Sequence, residues 1–133
     1  MTLLGRKSPV KLALAFVEAC NARDAAALTR LVREDFVFRD SRGGTIHGRR
    51  AMLDALAQVN AVAPDLRVQI ATASRRGDTA LLSGKSITVN PDIACDTQWR
   101  AVAQDGMLVS WEAFGERADS SLVGLLGFAR HPE

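Results

Sequence analysis

The segment Phe36-Val-Phe-Arg-Asp-Ser-Arg-Gly-Gly-Thr-Ile-His-Gly48 contains, in order, a strand-like apolar run, a glycine turn and the start of a helix. The apolar run leads to a single carboxylate, Asp40. An acid at the end of a strand suits general-base chemistry, because apolar surroundings make a carboxylate more basic. A simpler interpretation is that the Asp40 side chain caps the turn at 41–43, as turn aspartates commonly do. The local sequence favours the turn cap, so a catalytic role has to be supported by the rest of the chain.

Length and composition predict one globular domain. The chain has 133 residues, of which 47% are hydrophobic, and a chain of this length buries about two-thirds of its unfolded surface. We expect a single domain over 1–133, with a loose N-terminal arm at 1–8 and a C-terminal tail at 117–133. The tail includes an apolar, glycine-rich stretch at 122–128, which we expect to be covered by its own domain or by a partner subunit.

Charge and cysteine usage limit the partners that the sequence predicts. A formal charge of +2 is too small to indicate nucleic acid, and no apolar run approaches the ~20 residues of a membrane span. Cys20 and Cys95 show no metal-ligand spacing, and no phosphate-binding loop is present, so we expect neither a metal nor a cofactor. The N-terminus does not read as a secretion signal, so we expect two reduced thiols and a cytoplasmic protein.

The pattern of apolar residues changes from helical to alternating at Pro64. Before it, the sequence predicts helices at 9–21, 25–33 and 49–62 and short strands at 36–39 and 45–47. After it, four long strands are predicted, the first beginning near Leu66 and the others at 79–90, 93–104 and 107–114. Gly84 inside a strand is typical of a bulge or a sharp bend. Helices followed by hairpin-linked strands predict an α+β fold, with a strongly curved antiparallel sheet wrapped around the helices and a pocket between them.

The order of elements and two motifs resemble the nuclear transport factor two-like superfamily, and within it the SnoaL-like and ketosteroid-isomerase-like groups. The first motif comprises Asn21-Ala-Arg-Asp24, Asp35-Phe-Val-Phe-Arg-Asp40 and Gly48-Arg-Arg-Ala-Met52. The second is Asp105-Gly-Met-Leu-Val-Ser-Trp-Glu-Ala-Phe-Gly-Glu116. The resemblance covers about 9–116 and implies a cone-shaped, cystatin-like α+β barrel. It specifies the fold more closely than the activity, because one fold hosts many chemistries.

The resemblance implies a role for Asp40, which falls where ketosteroid isomerases have an aspartate that shuttles a proton. Their oxyanion-donating tyrosine corresponds to Phe16, and a phenyl ring cannot donate a hydrogen bond. Their second donor falls near Asp96 or Thr97, and a shift of one residue would turn Asp96 away from the pocket. The dehydratase-like members pair a His with the Asp, and His47 is the histidine near Asp40 in sequence.

The closing hairpin offers two candidate faces. Trp99 and Trp111 are either a core or interface aromatic pair or a flat apolar wall for a ring-shaped ligand. Arg100 and Glu112 are typical of an exposed cross-strand charge pair. Neighbouring residues of a strand point to opposite faces, so only one of these sets lines the pocket, and we expect it to be the tryptophans.

Two functions remain open at this point. The first is a cofactor-independent isomerase, cyclase or dehydratase that acts on a small hydrophobic, ring-containing metabolite, with Asp40 as general base. The second is a non-catalytic protein of the same fold that binds a small molecule or serves as a dimeric partner. In both cases we expect a homodimer through the uncovered sheet face. The predicted ligand-binding residues are Phe16, Phe38, Met52, Asp96, Trp99 and Trp111.

Overall fold

The computed structural model describes residues 8–40, 44–91 and 94–115. The predicted α+β class is confirmed, with three helices and six strands in these ranges. The elements are α1 (Pro9–Ala22), α2 (Ala25–Leu31), β1 (Val32–Asp40), β2 (Thr45–His47), α3 (Arg49–Val62), β3 (Arg67–Arg76), β4 (Thr79–Ile87), β5 (Cys95–Gln104) and β6 (Met107–Gly115). The segments 1–7 and 116–133 lie outside the described residues, and with them the predicted arm and the apolar tail.

The first two helices begin at residues whose side chains cap them. Ser8 Oγ accepts a hydrogen bond from the backbone N–H of Lys11 at 3.1 Å, so Ser8 belongs to the cap of α1 rather than to a loose arm. Asp24 Oδ1 accepts from the backbone N–H of Ala27 at 3.0 Å and starts α2. Helix α1 ends at Arg23, which has a left-handed backbone with φ 58°.

Helix α2 is shorter than predicted, because the helical pattern of Leu28, Leu31 and Val32 continues into the next strand. Val32 already has extended backbone and pairs with Leu108 of β6, so the expectation that the helix reaches Arg33 was wrong. Pairing with a distant strand buries Val32 completely, and this tertiary contact overrides the local helical pattern.

The six strands form one open sheet in the order β2-β1-β6-β5-β4-β3. The expectation of a wholly antiparallel sheet needs one correction, since β1 pairs with β6 in parallel while the other neighbouring pairs are antiparallel. Strands β1 and β6 are separated in the chain by α3 and four further strands, so their pairing needs no hairpin and a parallel arrangement is open to them.

Two irregularities set which side chains point inward. Opposite Gly84, the register of β3 shifts between Ile70 and Thr72, and a Cβ on Gly84 would lie 2.0 Å from the carbonyl oxygen of Gln69. This agrees with the expected bulge or bend and explains the glycine. In the closing hairpin the register shifts between Val102 and Ala103, so β6 has one extra residue at Val109.

The core lies between the helices and one face of the sheet, which we call the inner face. Phe16 of α1 packs against Trp111 and Phe36, with ring centroids 4.5 and 5.9 Å away. Leu108 is fully buried, whereas Val109 is half-buried, so Leu108 takes the inward position that simple alternation from Trp111 would give to Val109. The opposite side of the sheet, which we call the outer face, carries exposed Leu81, Ile87 and Phe114.

The first sequence motif fastens α1 to the edge strand β3. The Asn21 side-chain amide donates to the carbonyl of Val68 at 2.9 Å and accepts from its backbone N–H at 2.8 Å. Arg23 donates to the carbonyls of Pro64 and Leu66, at 2.9 and 3.0 Å. Asn21 and Arg23 therefore have structural roles, which position the end of α1 over the sheet. No helix in the described part of the chain is long and apolar enough to cross a membrane.

Candidate functional site

Asp40 is the last residue of β1 and is half-buried. Side chains alternate along a strand, so Asp40 shares the inner face with Phe36 and Phe38. Phe36 is completely buried, and Arg39, on the other face, is exposed. The carboxylate is therefore at the point where the apolar interior of the sheet meets the turn that follows β1.

The side chain of Asp40 also takes part in that turn. Its Oδ1 accepts a hydrogen bond from the backbone N–H of Gly44 at 3.0 Å, and its own backbone N–H donates to the carbonyl of Gly44, also at 3.0 Å. The turn-cap interpretation is therefore correct in geometry. It does not exclude a second role, because a carboxylate has two oxygens and about four acceptor positions.

Four of the predicted ligand-binding residues lie in the hydrophobic core: Phe16, Met52, Trp99 and Trp111 are each at most 6% exposed. Phe38 is half-buried and packs against this core, opposite Trp111 in the β1–β6 register. Trp99 and Trp111 share the inner face, as expected, but are diagonal neighbours: Trp99 pairs with Ala113, and Trp111 pairs with Ala101.

Asp96 departs from its predicted position. It is exposed on the outer face, where it pairs with Lys85, so it does not line the inner face with the tryptophans. Thr97 points inward instead and is 6% exposed. Alternation along β5 requires this result, since Trp99 and Thr97 are two residues apart and Asp96 has the opposite parity.

Thr97 is the one buried polar side chain among the described residues. It lies between two glycines, because Gly84 of β4 and Gly115 of β6 are its partners on the neighbouring strands. Cys95, two residues earlier on the same face, has its Sγ 3.1 Å from Thr97 Oγ1. From the sequence alone, Thr97 is a candidate only as an alternative to Asp96, and Cys95 has no predicted role at the site. Both residues are an even number of positions from Trp99 and so share its face of β5, and this alternation would have identified them from the sequence.

The other candidate groups lie away from Asp40. His47 is exposed and pairs with Val37, whose side chain has the opposite parity to Asp40, so the two do not form an acid–base pair. Arg100 and Glu112 form the expected cross-strand ion pair on the outer face, with Arg100 Nε 2.6 Å from Glu112 Oε1. Within the described ranges, no group of three His, Cys, Asp or Glu side chains is arranged to hold a metal ion.

A shallow groove of about 700 Å³ runs along the solvent side of α1 and includes Lys11, Leu14, Glu18, Asn21 and Arg67. None of the predicted site residues lines it. Near the end of the same helix, burial raises the pKa of Cys20 to about 12, which keeps this thiol protonated and unreactive at neutral pH.

The chain belongs to the SnoaL-like domain family, whose model matches residues 13–123. Among solved structures it resembles a putative polyketide cyclase from Sinorhizobium meliloti, with 20% identity, a TM-score of 0.71 and coverage of 77% of this chain and 93% of that one. A putative SnoaL-like polyketide cyclase from Shewanella denitrificans has 16% identity and a TM-score of 0.73, with coverage of 81% and 90%. A LEH-like epoxide hydrolase from M. tuberculosis has 15% identity and a TM-score of 0.68, with coverage of 81% and 82%. At these identities the structures establish a shared fold. No curated protein matches the sequence.

Proposed function

We propose that the protein binds a small hydrophobic, ring-containing molecule over the inner face and isomerises, cyclises or dehydrates it, with Asp40 as general base. The observation that carries this proposal is the half-buried carboxylate at the end of β1, on the same face as the buried aromatic core. A base must lie within hydrogen-bond reach of the proton that it removes. A hydrophobic ring that binds against the apolar surface beside Asp40 would bring its C–H groups close to this carboxylate.

Asp40 and Thr97 divide the chemistry between them. Asp40 takes a proton from a ring carbon conjugated with a carbonyl, the electron pair moves through the conjugated bonds onto the carbonyl oxygen, and Asp40 returns the proton at another carbon of the conjugated system. The Thr97 hydroxyl donates to the oxygen that becomes negative, in place of the donor that Phe16 cannot supply. The transfer moves one proton out and one back, so it uses no cofactor.

The strand register gives the scale of a suitable ligand. Asp40 pairs with Ala113, and Ala113 pairs with Trp99, so Asp40 is two strand spacings, or about 10 Å, from the backbone of Trp99. Thr97 lies two residues further along β5, so the Asp40 and Thr97 backbones are about 12 Å apart. Side chains that reach inward from both positions suit a molecule of more than one ring. Phe38, which is half-buried on the same face and packs against the core, offers the ring an apolar contact.

The named relatives support the same class of substrate, since two are described as polyketide cyclases and one as an epoxide hydrolase. A further structure of the same fold, TerC, was crystallised with polyporic acid, with 17% identity and a TM-score of 0.72.

A non-catalytic binding protein is the second candidate, and one observation favours it. The Asp40 carboxylate already accepts the N–H of Gly44, and Phe16, Met52, Trp99 and Trp111 pack against other core residues. A protein that binds a small molecule without catalysing a reaction, with Asp40 as a turn residue, accounts for both facts.

A thermal-shift screen of the wild type and Asp40→Asn separates the candidates. Asparagine keeps the Oδ1 acceptor for Gly44, so the variant removes the charge while leaving the turn bond in place. A ligand at 100 times its dissociation constant stabilises the fold by about 2.7 kcal/mol, a readily measured shift. The proposal predicts that ring ketones or polyketides bind both proteins and that only the wild type turns one over. Binding without turnover by either protein would favour the second candidate, and no binding across the panel would refute both.

We also propose that the outer face joins two copies of the chain. Five neighbouring strands at about 4.8 Å, each about 30 Å long, give roughly 700 Å², close to the ~800 Å² per partner of a stable interface. Two charge pairs lie on this face, Arg100 with Glu112 and Lys85 opposite Asp96. Free Cys20 and Cys95 accord with a reducing compartment, and we propose a cytoplasmic location.

Leu81→Glu and Leu14→Glu form a matched pair for the dimer, since both leucines are 40% exposed but Leu14 lies on α1. Analytical ultracentrifugation at micromolar concentration should find a dimer for the wild type and for Leu14→Glu, and a monomer for Leu81→Glu. A monomeric wild type would remove the dimer proposal without affecting the proposed reaction.

A further inference from the structure

The contact between Cys95 and Thr97 is the feature of the inner face that the proposed reaction leaves unexplained. Cys95 Sγ and Thr97 Oγ1 are 3.1 Å apart, and Thr97 is 6% exposed. The Thr97 hydroxyl also lies 3.5 Å from the backbone carbonyl of Cys95, at the outer limit of a hydrogen bond. The contact of the Thr97 hydroxyl with the thiol is thus shorter than its contact with the carbonyl.

The direction of that bond decides what Thr97 can offer to a ligand. A threonine hydroxyl has one hydrogen and two lone pairs, and a thiol has one hydrogen that it donates weakly. If Thr97 donates to sulfur, its hydrogen is used within the protein. If the thiol donates to Thr97 Oγ1, the hydroxyl hydrogen is left for another acceptor, because the carbonyl at 3.5 Å is a poor competitor.

The neighbouring glycines leave room for this arrangement. Gly115 pairs with Thr97, and a Cβ at Gly115 would lie 3.3 Å from Cys95 Sγ, so the missing side chain provides space for the sulfur. Gly84, the partner on the other side, places no side chain beside the hydroxyl, and the carbonyl oxygen of Gln69 lies 2.0 Å from where its Cβ would be. Neither neighbouring strand therefore has a side chain at the register position beside the Thr97 hydroxyl.

We propose that Cys95 is a positioning residue, whose S–H donates to Thr97 Oγ1 and turns the Thr97 hydroxyl hydrogen toward the carbonyl oxygen of a bound ring ketone. The inference rests on the proposed function for the ligand, whereas the direction of the thiol bond is a property of the protein alone. The two parts are therefore tested separately.

Infrared spectroscopy of the S–H stretch tests the direction of the bond without a ligand. Cys20→Ala leaves Cys95 as the single thiol of the chain. Donation to Thr97 lowers the frequency of the stretch, so adding Thr97→Val, which removes the acceptor with little change of shape, should raise it. An unchanged frequency in a variant that melts as a folded protein would overturn the proposal.

Ligand discrimination tests the consequence. For a ring ketone and its analogue without the carbonyl, the wild type and Cys20→Ala should prefer the ketone, and Cys95→Ala should lose about five-fold of that preference, the size of one ordinary hydrogen bond. Cys95→Ser should restore it, because a hydroxyl also donates. Ketone preference that persists in Cys95→Ala overturns this inference and leaves the proposed function standing. If no ring compound binds the wild type, both the proposed function and the ligand part of the inference are overturned.

Discussion

Replacement of Asn21 by alanine tests how α1 is held on the sheet. Asn21 satisfies both backbone groups of Val68 on the free edge of β3, through bonds of 2.8 and 2.9 Å. Each bond contributes about 0.5–1.5 kcal/mol net, and the loss is greater where the abandoned groups stay dry. Val68 is half-buried, so water reaches its groups in part, and we expect Asn21→Ala to lose about 2 kcal/mol.

Thermal and urea unfolding measure this loss. At roughly 3–5 °C per kcal/mol for a domain of this size, the melting temperature should fall by about 6–10 °C. Asn60→Ala is the matched control, since Asn60 Oδ1 accepts one exposed bond from Arg23 Nε at 2.9 Å and should cost under about 1 kcal/mol. Equal losses for the two variants would refute the reasoning, because they would show that the paired backbone contact contributes nothing beyond an ordinary surface bond.

Two further predictions concern backbone contact and pH. Gly84→Ala places a Cβ 2.0 Å from the Gln69 carbonyl oxygen and should lower the free energy of unfolding in urea by about 1–3 kcal/mol or more. The control Gly115→Ala places a Cβ 3.3 Å from the side chain of Cys95 and should lower it by less than about 1 kcal/mol. Equal losses would contradict the bulge geometry. The pKa of Cys20 is about 12 in the folded protein against 9.0 without burial, so its stabilising effect is complete below pH 9 and is lost as the pH rises toward 12. The melting temperature of the wild type should therefore fall more steeply over this range than that of Cys20→Ala, and parallel curves would show that Cys20 is not desolvated.

Locally specified features were predictable from the sequence. The caps Ser8 and Asp24 and the glycine Gly48 mark the helix starts that the structure has. The Asp105-Gly106 hairpin has positive φ at both residues, 54° and 79°, as its sequence requires. Such features depend on side chains that bond to their own neighbours in sequence.

Features set by distant pairing were not predictable. The parallel β1–β6 ladder and the strand conformation of Val32 depend on residues more than seventy positions away. The extra residue at Val109 changed the inward set of β6 in a way that simple alternation misses. At the site, the sequence left the register open between Asp96 and Thr97, and the structure has Asp96 on the outer face because its parity is opposite to that of Trp99.

The exchange of carbon-bound hydrogen tests the central claim most directly. A ring ketone that binds the protein is incubated in D₂O with the wild type or with Asp40→Asn, and deuterium uptake beside the carbonyl is followed by NMR. The account predicts that the wild type accelerates uptake and that Asp40→Asn binds the ketone but leaves uptake at the uncatalysed rate. Equal uptake with both proteins, at equal occupancy, would show that Asp40 caps a turn and is not the base.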